Sequence, residues 1–185
     1  MTYYWALAGL SSRQRRTTTM GLLEKLRPQP KWKHADPAVR LDALQTIEDT
    51  DQESLVVLAT EDPDARVRRA ASSRVTDAAA LAAIVRNESD PATRDHAAAR
   101  LATLADVGDE RIALSAVAAL ATLGRQRELA TVARASGEQS VRRAAVEQVS
   151  DPKGLGGIAR HAHDPTARLV AIERLADQAE LEAVA

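Results

Sequence analysis

The chain has 185 residues, enough for one ordinary domain with a substantial core. Its 25 basic and 26 acidic side chains leave a net charge of −1, so no overall field draws it toward nucleic acid or an acidic surface. It has no cysteine, which excludes disulfides and thiolate chemistry, and with no Phe and only two Trp and two Tyr its core must come from Ala, Leu, Val and Ile.

Residues 1–19, "MTYYWALAGLSSRQRRTTT", stand apart from the rest. The apolar run from Tyr3 to Leu10 is too short to span a bilayer, and it lacks the preceding basic residues of a secretory signal. We read this stretch as a disordered tail or an upstream start, with the natural beginning at Met20. Residues 20–35 form a lead-in or cap. Within it, Lys31, Lys33 and His34 surround Trp32, a candidate partner surface. Trp32 either stacks on a base or in a partner's pocket, or folds back as a lid over the first helix that follows. The lid is the preferred reading, because one Trp is not a stacking platform.

From residue 36 two patterns alternate. The first is Leu-x-x-apolar-(Ala/Val): "LVVLA" at 55–59, "LAAIV" at 81–85, "LATVA" at 129–133, "LGGIA" at 155–159 and "LEAVA" at 181–185. Its leading leucines are 26, 48, 26 and 26 residues apart. Asp51, Asp77, Asp151 and Asp177 each stand four residues ahead of such a leucine. The second pattern runs acid, small or apolar residue, Arg, then Ala: Asp36/Val39/Arg40/Ala43, Asp64/Val67/Arg68/Ala71, Asp90/Thr93/Arg94/Ala97, Glu138/Val141/Arg142/Ala145 and Asp164/Ala167/Arg168/Ala171. Both have helical periodicity, and the acids, often followed by Pro, are helix-entry signals. Each unit is therefore expected to be a pair of short antiparallel helices, A then B. One such pair cannot bury its own apolar faces, so the pairs must stack. The predicted fold is all-α, an α-solenoid over residues 36–185, its last repeat an A helix begun at "LEAVA" and left uncovered.

The arginine of the second pattern falls about 100° from the preceding apolar residue, inside the buried stripe. A charge there costs several kcal/mol of desolvation, on the order of magnitude known for buried ions, unless it is paired. An acid recurs four residues before each arginine, and neighbouring units can add carboxylates. The preferred reading is a structural charge ladder of Asp36, Arg40, Asp64, Arg68, Asp90, Arg94, Glu138, Arg142, Asp164 and Arg168. The alternative is a phosphate-binding ridge of the five arginines.

Between Leu101 and Leu129 the register breaks. "DERIALSAVAAL" at 109–120 has B-helix spacing, but Ala113 replaces the arginine and no A helix fits between Leu104 and Asp109. Plain repeat decay absorbed by a looser turn is preferred over a bend or a groove for a partner. His161 and His163 lie two apart and would diverge on a helix, so no metal is expected. His96 is expected to face solvent. Gly154, Gly156 and Gly157 occupy an A-helix slot and are read as close helix packing rather than a phosphate loop.

"DARVRRAA" at 64–71 and "QSVRRAAVEQV" at 139–149 resemble the second helix of the HEAT-repeat family. That resemblance implies a right-handed superhelix of helical hairpins and a scaffold that holds proteins along an extended surface. A narrower likeness, "MGLLEKLRPQPKWKHADPAVR" at 20–40, is to bacterial proteins of the domain-of-unknown-function 349 group, where such an array precedes long charged helices. The chain is thus expected to be a non-enzymatic, cytoplasmic interaction module without cofactor and without membrane partner. It would bind a protein partner or the missing downstream part of its own chain, or self-associate through the uncapped last repeat. The alternative is nucleic-acid binding through Lys31, Trp32, Lys33 and the exposed second arginines Arg69 and Arg143.

Overall fold

A computed structural model describes residues 30–184, with side chains as far as Ala176. The expected tail at 1–19 and residues 20–29 of the lead-in lie outside the described residues. Within them the chain is all-α, with no strand: a 3-10 turn at Lys31–Lys33 precedes ten α-helices. These are α1 (Pro37–Leu44), α2 (Gln52–Glu61), α3 (Ala65–Ser72), α4 (Ala78–Asn87), α5 (Pro91–Val107), α6 (Glu110–Thr122), α7 (Gln126–Ala135), α8 (Gln139–Gln148), α9 (Pro152–His161) and α10 (Pro165–Val184).

The entry signals explain where the helices begin. Eight of the ten start from an aspartate whose side chain accepts a backbone N–H of the first turn: Asp36, Asp51, Asp64, Asp77, Asp90, Asp109, Asp151 and Asp164. Pro opens α1, α5, α9 and α10, where its missing N–H would have had no partner anyway. Arg125 and Glu138 precede α7 and α8 without a side-chain cap.

One expected boundary is overturned. Asp177 does not open a new A helix; Pro165–Val184 is one continuous helix, so residues 181–184 extend α10. Gln178 and Ala179 carry the chain on at helical periodicity, and no Pro or Gly between 169 and 184 interrupts it.

Every substantial helix contact joins elements one or two apart in the chain. The pairs α2–α3, α4–α5, α7–α8 and α9–α10 pack as hairpins. Contacts two apart run α1–α3–α5–α7–α9 in one row and α2–α4–α6–α8–α10 in the other. A single buried cluster threads between the rows, built on Leu55, Leu81, Leu101, Leu120, Leu129 and Leu155. The irregular unit contributes one helix, α6, instead of two. An odd helix exchanges the rows: the arginine helices α1, α3 and α5 share a row, whereas α8 and α10 lie in the other.

Candidate functional site

The seams between stacked helices are where the sequence put its charges. Arg40 sits at the fourth position of α1, 7% exposed, and its guanidinium forks onto Asp62, 2% exposed: Nε donates to Oδ2 and Nη2 to Oδ1, both at 2.7 Å. Arg68 repeats the arrangement with Glu88 at 2.7 and 2.8 Å. In each case the carboxylate belongs to the next hairpin, at the end of its first helix. The remaining Nη1 reaches back to the arginine's own turn, to the carbonyls of His34 and Ala35 for Arg40 and of Asp62 and Pro63 for Arg68. The forked hydrogen bond raises the pKa of both arginines and lowers that of Glu88, against the opposing pull of burial.

The ladder's expected partners are thus corrected. Asp36, Asp64, Asp90 and Asp164, four residues ahead of their arginines, use their carboxylates to cap their own helices. Asp64 also takes the guanidinium of Arg66, whose hydrogen bond lowers its pKa to about 2. The Thr93 hydroxyl, at 2.6 Å, does the same in direction for Asp90. Glu138 makes no side-chain cap bond.

Beyond Arg68 the ladder thins. Arg94 donates only Nη1 to the Glu88 carbonyl at 3.2 Å, because the corresponding turn ahead of it, between α6 and α7, carries Leu123, Gly124 and Arg125 instead of an acid. That turn reverses the polarity of the seam: Arg125 donates to Asp95 of α5 at 3.0 Å. Arg142 donates Nη1 to Ser136 and Gly137 carbonyls, while its buried Nε faces Asp164 at 3.7 Å without a hydrogen bond. Arg168 donates Nη1 to the Ala162 carbonyl at 3.2 Å.

Two further seam devices went unread in the sequence. Six residues after the ladder arginine, Arg74, Arg100 and Arg174 point the other way, donating to carbonyls at the end of the preceding arginine helix: Leu44 and Ile47, Val75, and Glu147. The repeated R-x5-R spacing was the available signal. Gln52 and Gln126, first residues of α2 and α7, accept N–H groups 24 residues on, from Thr76 and Ser150.

A concavity lies where the rows exchange. A groove of about 830 Å³ opens between α5 and α7. Its floor is small and apolar, Ala99, Ala102, Val132 and Ala135, and its walls carry Asp106, Glu128 and Arg127 beside the Arg125–Asp95 pair. Gly124, with φ +65°, makes the turn that brings α7 in.

Of the candidate partner surface, Trp32 is half-buried and packs against the core, with Lys33 Nζ 4.7 Å from its ring centroid. Lys31, Lys33 and His34 are exposed, and His34 Nδ1 accepts the Asp36 N–H. Arg143 is exposed and donates to Glu147 at 2.9 Å. Arg69 departs from expectation: it is partly buried, lies 3.8 Å from Asp90, and its Nε is enclosed. The departure has a cause, since the next helix of its row packs over it. His96 is likewise half-buried, and burial lowers its pKa. A Cβ on Gly154 would meet Val149 at 3.0 Å and Ala130 at 3.5 Å, and one on Gly157 would meet Arg134 at 3.2 Å. Gly154 is the one that lets α9 approach α7 closely, since the Arg134 tip facing Gly157 can move aside.

Among the described residues, no group of three or more His, Asp or Glu side chains is placed to hold a metal ion, and no helix is long and apolar enough to cross a membrane. No protein-family model, curated protein or solved structure matches the chain.

Proposed function

We propose that this protein is an α-solenoid of HEAT-like hairpins, right-handed in its superhelical sense, that acts as a non-enzymatic interaction module holding another protein along its length. The observation that supports the reading is the packing pattern: among the described residues every substantial helix contact is local in the chain, as stacked hairpins require. The docking surface in this reading is the α5–α7 groove. Its alanine floor admits the backbone of a partner segment, and Asp106, Glu128 and Arg127 offer unneutralised charges at its rim. The cytoplasm and a bacterial source belong to the same reading.

Selection of binders from a random peptide library, followed by competition against the variant Ala102→Trp, tests it. Peptides whose binding is lost when the indole fills the groove support the proposal. Peptides that bind both proteins equally, or no enrichment at all, overturn it.

Nucleic-acid binding is the weaker reading on structural grounds. Trp32 turns its ring to the core and Lys33, and Arg69 is engaged at a seam. A titration with duplex and single-stranded DNA separates the two, since phosphate contacts would give a steep loss of affinity with salt.

A further inference from the structure

The outer face of α10 departs from every other arginine helix. Four residues after the ladder arginine, Leu44, Ser72, Ala98 and Val146 are 0–2% exposed; the fifth counterpart, Ile172, is 53% exposed. Leu169, one helical turn earlier on the same face, is 57% exposed. Val170 and Ala171 turn inward to the core, and Arg174 reaches the carbonyl of Glu147 on α8. The exposed stripe is therefore Leu169, Ile172 and Ala176, with Arg168 on one flank and Glu173 on the other.

That spacing is the core-and-flank pattern of a two-stranded coiled coil: Leu169 at position a, Ile172 at d, Ala176 at the next a, Arg168 at g and Glu173 at e. We propose that two copies of this chain associate through α10 in parallel about a two-fold axis, with Leu169 and Ile172 packing on their counterparts and Arg168 facing the partner's Glu173. The flanking position five residues on is the one that such a helix pair brings opposite an arginine at g. The symmetry places two of these ion pairs, one on each side of the apolar seam. Arg40 and Arg68 each receive a carboxylate from the next helix pair in the stack; among the described residues none lies within ion-pair distance of Arg94, where the following turn lacks an acid, or of Arg168. The second copy supplies one to Arg168. Head-to-tail stacking does not, since the residue two ahead of the first helix cap, where Asp62 and Glu88 stand in later units, is His34. The inference is independent of the α5–α7 groove, which lies on other helices.

Sedimentation velocity on the full chain tests it. A monomer–dimer equilibrium is expected, and Ile172→Glu should weaken it at least about tenfold with the helical circular dichroism unchanged. Glu173→Arg should weaken it about threefold, as expected for two exposed ion pairs. Mixed with Arg168→Glu, it should form a heterodimer tighter than either variant alone. The chain has no cysteine, so Ile172→Cys reports the register directly: a parallel pair brings the two thiols together and oxidises to a covalent dimer, whereas Leu114→Cys does not. A chain still monomeric at about 1 mM, a dimer indifferent to Ile172→Glu, or no cross-link at position 172 would overturn the proposal.

Discussion

Replacing Arg68 by Ala isolates what a seam arginine contributes. The change removes both donors from the Glu88 carboxylate, which is 4% exposed, and leaves it the Asp90 N–H at 2.9 Å. It also strips the Asp62 and Pro63 carbonyls of their shared guanidinium donor. Breaking a buried pair by deleting one partner costs about 3–5 kcal/mol. Arg68 is 14% exposed and its loss lets water reach the seam, so the lower end, about 3 kcal/mol, is expected. For a chain of this size that is roughly 6–12 °C in Tm. Arg94→Ala is the internal control. It occupies the same motif position but donates only one long bond to a carbonyl, so about 1 kcal/mol is expected. Urea unfolding followed by circular dichroism measures both. Equal losses, or two losses below about 1 kcal/mol, would refute the idea that the paired carboxylate gives the arginine its weight. The double variant R68M/E88L should recover most of the loss, because an apolar pair leaves no stranded charge.

Other outcomes follow from the same geometry. As pH falls through and below 4.5, protonation of Glu88 should progressively remove stability, since its folded pKa is depressed and its contribution is complete only above the unfolded value; Glu88→Gln should be less stable at neutral pH and show a shallower acid limb in Tm against pH. Gly124→Ala should cost about 1 kcal/mol in urea unfolding although its Cβ meets open space, because φ +65° strains any L side chain; Gly124→Asn should cost less. Trp32→Ala should cost about 2 kcal/mol and raise amide hydrogen exchange in α1, as the removal of a half-buried aromatic cover requires. Gly154→Ala should destabilise despite the better helix former, as its Cβ abuts Val149 and Ala130, whereas Gly157→Ala should be neutral or stabilising because only the mobile tip of Arg134 must move.

The helix starts were legible because an N-cap is a local event: Asp64 bonds Arg66 two residues on, and nothing distant decides it. Partnership across a seam is not local. Asp62 and Glu88 serve Arg40 and Arg68 from 22 and 20 residues away, and no spacing within one motif distinguishes them from the caps two positions later. Asp177 shows the opposite error. It has the look of a cap, but with the helix already running and neither Pro nor Gly nearby, propagation wins over a new start. The 48-residue gap announces an irregular unit, which the structure fills with the single helix α6; which row each later helix joins depends on contacts that a linear pattern does not carry. Arg69 is less exposed than its motif position suggests for the same reason: Asp90, at the start of the next helix of its row, lies 3.8 Å from it.

The lone helix α6 gives the array a parity. Adding or deleting two helices keeps every downstream helix on its own side of the stack; adding or deleting one changes sides for everything downstream. A ligand lying along one side would therefore meet arginine-bearing helices up to α5 and their glycine- and leucine-bearing companions from α7 onward. Excising α6 with its turn would make the two halves agree, so that each side presented one kind of helix along its whole length.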